Sequence, residues 1–149
     1  MKKIKITTSI IVSLVFLWIG FVGAISFMEA WLKFRAPGVT LELGLGIGNL
    51  VFKALNGVEI VFASLILIFM IWRSLIESNR TFSVWIGIAL FVLLIESFWL
   101  LPSLGHRAES IIHGVDVEKI DLHILYISAE ILKVGALFIY GGIMLKSRK

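Results

Sequence analysis

Four stretches of apolar residues, each long enough to cross a bilayer, constrain this chain more than any other feature. They run over about residues 6–28, 47–72, 82–101 and 122–145. A helix rises about 1.5 Å per residue and the hydrocarbon core is about 30 Å thick, so about 20 apolar residues suffice for one crossing. The expected fold is all-α: a single polytopic domain, residues 1–149, of four transmembrane helices forming a bundle. The connections are too short for a separate soluble domain.

Composition agrees with this reading. Hydrophobic residues make up 59% of the chain, mean hydropathy is +1.02, and charged residues are only 16%, against roughly 25% in soluble domains. The first run follows Lys2, Lys3 and Lys5, as a secretory signal would. Its length and the lack of a small-residue cleavage motif point instead to a retained helix. The chain has no cysteine, which excludes disulfides, thiolate metal sites and iron–sulfur clusters.

The formal charge of +4 is distributed as a topology signal. Lys2, Lys3, Lys5, Arg73, Arg80, Lys146, Arg148 and Lys149 fall on one side of the spans. On the other, Lys33, Arg35, Arg107 and Lys119 are offset by Glu29, Glu42, Glu109, Asp116, Glu118 and Asp121. Basic residues favour the cytoplasmic side, so both termini are expected there, in the cell inner (plasma) membrane. The expected partners are the lipid bilayer and further copies of the chain in a homo-oligomer, because four helices enclose only a small vestibule. No nucleic-acid partner is expected.

The two outer connections carry their own signals. Pro37 and Gly38 predict that the first helix stops near Arg35. In "SLGHRAESIIHGVDVEKID", His106, Glu109 and His113 recur at three and four, which predicts a short amphipathic outer helix between the third and fourth spans. Trp31, Trp72, Trp85 and Trp99 fall near span ends, as an aromatic belt requires; Trp18 does not. The stretch "GLGIG", Gly44 to Gly48, lacks dinucleotide-binding spacing and reads as the close-packed start of the second helix. Gly20, Gly23 and Ala24 form a small face for tight packing on the first.

Within the spans, "VLLIESFWLLP" places Glu96 in an otherwise apolar run. Glu59 lies 14 residues before Arg73, Glu96 lies 16 after Arg80, and Glu130 lies 16 before Lys146. All three carboxylates therefore sit roughly 21 to 24 Å above the inner charges, in one layer. Asn49, Lys53, Asn56 and Glu59 share a helix face, as do His123, Tyr126, Glu130 and Lys133, with Tyr140 two turns further in. A charge at the centre of an inserted helix costs about 2.5 to 3.5 kcal/mol, whereas an interhelical polar contact returns only about 0.6 kcal/mol. Packing alone would not favour the layer. Three carboxylates against Lys53 and Lys133 leave one to hold a proton or a cation.

The expected binding residues are Glu59, Glu96, Glu130, His123, Tyr126, Lys53, Lys133 and Asn56. The first reading is an integral membrane protein whose buried Glu/His/Lys layer binds and passes a small cation or a proton-coupled solute. A second is a membrane metalloprotein or lipid-phase enzyme, with a divalent metal as cofactor and His106, Glu109, His113 and His123 as candidate ligands. Against it, no Glu-x-x-His pair lies on a span, and His123 stands two turns, about 10 Å, from Glu130. No nucleophile motif identifies a catalytic residue. A third reading is a structural or assembly subunit.

The segment "NGVEIVFASLILI", around Glu59, resembles the DoxX-like small four-helix bacterial membrane proteins, which carry a glutamate in an apolar second helix. That resemblance implies the same four-helix layout and a place in redox or quinone-linked membrane processes. It assigns no catalytic residue.

Overall fold

A computed structural model describes residues 2–77, 83–114 and 122–146. Side chains are described from Lys5 to Ile76 within the first of these segments. The expectations for Lys2, Lys3, Arg80, Asp116, Glu118, Lys119, Asp121, Arg148 and Lys149 lie outside these limits. Four helices are long and apolar enough to cross a membrane: Lys5–Arg35, Leu41–Ile76, Val84–Ile112 and Leu122–Lys146. The chain is thus an all-α, multi-pass membrane protein whose four helices pack as a bundle, as the periodicity and run lengths imply.

The first helix winds as an α-helix over Lys2–Val22, opens into a wide π turn over Gly23–Glu29, and tightens into a 3-10 turn at Lys33–Arg35. Ala36 is extended, and Gly38 supplies the positive φ, 82°, that a side chain would resist in the turn. The helix therefore ends at Arg35, where Pro37 and Gly38 place its stop. The second helix starts at Leu41, six residues before the expected start at 47. Thr40 begins it: its Oγ1 accepts the backbone N–H of Leu43 at 3.2 Å. The glycines from Gly44 to Gly48 lie inside the helix, and a Cβ on Gly44 would stand 2.1 Å from the Phe34 ring. This is the close approach expected there, between the end of one helix and the start of the next.

The third helix does not stop at Leu101. It runs from Val84 through Pro102 to Ile112, interrupted by a π turn at Glu96–Leu100. Proline offers no N–H to the carbonyl four residues back and its ring crowds that carbonyl, so a helix that continues through proline must widen or kink. The wide turn directly before Pro102 absorbs this defect. The amphipathic stretch with His106 and Glu109 is helical as expected, and it continues the third span instead of lying as a separate helix.

Around the bundle the order is first, second, third, fourth, with the first also against the fourth. One end carries the described parts nearest the two termini and will be called the termini end. The other, with Arg35, Leu41, Ile112 and Leu122, is the distal end. The main core, including Ile11, Val15, Ile66, Ile86, Ala89 and Leu137, is apolar and buried. Outward-facing residues such as Leu75, Phe91, Phe98 and Ile71 are equally apolar and exposed, as a lipid-facing surface requires. Gly20 and Gly23 correct the packing expectation: a Cβ on either would meet nothing within 4 Å. The packed face of the first helix is instead Ile11, Val15, Trp18, Val22 and Ser26. Close approach occurs at Gly141, where a Cβ would lie 3.1 Å from the Phe16 ring.

Candidate functional site

Where the second, third and fourth helices face one another, Glu59, Glu96 and Glu130 converge. One carboxylate oxygen from each lies within 4.8 Å of the other two. Depth counted from the basic flanks thus locates a real layer. Its centre is Lys133, one turn beyond Glu130 on the fourth helix and fully buried. The Lys133 ammonium stands 2.6 Å from Glu59 Oε1 and 3.0 Å from Glu130 Oε2, and it donates to Glu96 Oε2. The approach to Glu130 Oε2 is close enough for an ion pair but not aligned as a hydrogen bond. That oxygen and Glu96 Oε1 are buried without a hydrogen-bond partner among the described residues.

Three further donors, one from the fourth helix and two from the first, complete the shell. Tyr126, one turn before Glu130, donates its hydroxyl to Glu130 Oε1 at 2.6 Å. The first helix reaches in twice: Trp18 Nε1–H donates to Glu59 Oε1 at 2.8 Å, and Ser26 Oγ donates to Glu130 Oε1 at 3.0 Å. Sequence reasoning missed both. A signal for Trp18 was present, since it alone among the tryptophans avoids the span ends. Ser26 gave none, because its direction depends on the π turn of Gly23–Glu29. Glu96 likewise lies in a π turn, and such turns gather at functional sites. Both of the described wide turns place a polar side chain in the same cluster.

Other expected residues lie elsewhere. Lys53 is exposed and takes no part in the cluster. It lines a polar cleft of about 350 Å³ on the distal side, together with Asn56, Ser97, His106 and Glu109. Asn56 Nδ2 donates to Ser97 Oγ at 2.8 Å, one turn from Glu59 and one residue from Glu96. Both members of this pair line the cleft. His123 is exposed and lines a different, more apolar cleft. The histidines are therefore not gathered as the metal reading expected: His106 and Glu109 share a cleft wall, His113 sits exposed at the helix end, and His123 faces another space. Among the described residues, the group with metal-binding spacing is the three glutamates themselves.

On the termini side the cluster is followed by apolar residues, Ile66, Ile86, Ala89, Leu93 and Leu137. Tyr140 continues the polar stripe, but its buried hydroxyl has no hydrogen-bond partner among the described residues. Lys133 is thus the last charged group of the fourth helix before Lys146. The segment "NGVEIVFASLILI" contributes Glu59 to the cluster. No family model, curated protein or solved structure matches this chain.

Proposed function

We propose that the Glu59, Glu96, Glu130 and Lys133 cluster is a proton-exchanging site that binds a small cation or a proton-coupled solute. The observation that carries this reading is the sharing of one buried ammonium by three buried carboxyl groups. Fully ionised, three carboxylates less one ammonium leave a formal charge of −2. Uncompensated charge in a dry interior is too costly to hold, so protons or cations make up the difference. Protons fit best, because Lys133 already occupies the space between the carboxylates where a metal ion would sit. A metal would require this ammonium to swing away.

Exchange takes place from the distal side. The Asn56–Ser97 pair, one turn from Glu59 and one residue from Glu96, lines the cleft with His106 and Glu109, whereas the side chains on the termini side are apolar. With the termini cytoplasmic, in keeping with the basic flanks, that cleft opens outward from the inner membrane. Passage across the bilayer, as distinct from binding, requires a second copy of the chain to extend the polar path.

The test is infrared difference spectroscopy on the reconstituted protein between acid and alkaline buffer, following the carbonyl stretch of protonated carboxyl groups. Wild type should show such bands, and Glu59→Gln, Glu96→Gln and Glu130→Gln should each change them while the protein remains folded. Folded variants with spectra identical to wild type would reduce the cluster to structural pairing.

A further inference from the structure

The polar cleft of about 350 Å³ on the distal side is lined by charges of both signs. Lys53 comes from the second helix and Glu109 from the third, with His106 one turn before Glu109. Asn56 and Ser97 are the lining residues nearest in sequence to Glu59 and Glu96. A concave space with a few convergent polar groups is the general form of a small-molecule site, and this volume lies toward the small end of that range.

The two charges are offset along the bundle. The second and third helices run antiparallel here: Asn56 donates to Ser97 at 2.8 Å, and Asn49 lies against Gly105, where a Cβ would meet Asn49 Oδ1 at 3.2 Å. Lys53 therefore stands level with about Leu101, and Glu109 lies about two turns, or about 11 Å, further toward the distal end. Neither side chain takes part in an ion pair among the described residues. An ammonium and a carboxylate thus line one cleft, held apart by the offset and without satisfying each other.

We infer that this cleft binds an elongated zwitterion, a molecule with an ammonium and a carboxylate at opposite ends of a short chain, its carboxylate at Lys53 and its ammonium at Glu109. Each contact is a charge-assisted hydrogen bond. The presence of both signs selects a zwitterion, because a simple anion or cation would meet one partner and be repelled by the other. The offset selects separated charges over an α-amino acid, whose two groups share a carbon. The inference names the solute of the proposed function and rests on that reading for its coupling to protons, but not for its binding.

The probe is radiolabelled ε-aminocaproate, measured by equilibrium dialysis against the full chain in maltoside micelles, which carry no charge of their own. It should bind saturably at neutral pH, with caproate, hexylamine and glycine each about tenfold weaker or more. Lys53→Gln and Glu109→Gln should each weaken it about tenfold, and the paired exchange of Lys53→Glu with Glu109→Lys should restore binding with the ligand reversed. Caproate or hexylamine binding as well as ε-aminocaproate, or unchanged affinity in the two Gln variants, overturns the proposal; the first comparison needs only wild type. Equal binding of glycine overturns the elongated assignment. Displacement of the probe by phosphatidylethanolamine added to the micelles overturns a soluble ligand in favour of a lipid headgroup. Saturable binding to a protein whose carboxyl infrared bands are absent would uphold the zwitterion site and remove the proton reading, whereas no binding beside intact bands would do the reverse.

Discussion

Replacing Lys133 with Met would leave three buried carboxyl groups without their shared cation. Removing one partner of a buried ion pair costs about 3 to 5 kcal/mol, so Lys133→Met should unfold at markedly lower temperature in detergent. Adding Glu59→Gln, Glu96→Gln and Glu130→Gln to that variant removes the need for the cation and should recover most of the loss. A quadruple variant no more stable than Lys133→Met would mean that the ammonium acts by packing. At this scale the sequence was most legible for the carboxylates, because a glutamate in a twenty-residue apolar run has few explanations. It was least legible for their partners. Lys53 and Lys133 look alike in a stripe, yet Lys53 is exposed to a polar cleft and Lys133 is fully buried. Telling them apart requires knowing which neighbour each helix face meets.

Helices in this bundle are joined tightly at one end and widened at two places, and both features have consequences. Phe34 at the close of the first helix fills the space left by Gly44 at the start of the second. Gly44→Ala should therefore destabilise the protein by about 1 to 3 kcal/mol, although alanine is the better helix former. A melting temperature equal to or above that of wild type would show that the Phe34 ring moves freely aside. The lengths of the second and third helices exceeded what hydropathy suggested. Hydropathy falls where polar residues begin, whereas the helix continues while its backbone finds hydrogen bonds, as Thr40 provides at one start and the π turn before Pro102 preserves at one end. Wide turns have no sequence period of their own, so Ser26 and the placement of Glu96 within one could not be read in advance.

Viewed as a whole, the molecule is apolar on its outer surface, charged in one interior layer, and open to polar groups on one side of that layer. Since the chain has no cysteine, single cysteines report access directly. His106→Cys, in the polar cleft, should react with a membrane-impermeant maleimide added outside intact cells, and Leu137→Cys, in the core, should not. Labelling of His106→Cys only from the cytoplasmic side would reverse the proposed orientation. The architecture was legible in the four runs, and so was the common depth of the three glutamates. The ring order was not, because apolar helices of similar composition carry no mark of their neighbours. Lys133 sits on the helix that is synthesised after the other three. The carboxyl groups of the second and third helices thus wait for a counter-charge carried by the fourth, and docking of that helix becomes the step at which an assembled bundle is distinguished from an unassembled one.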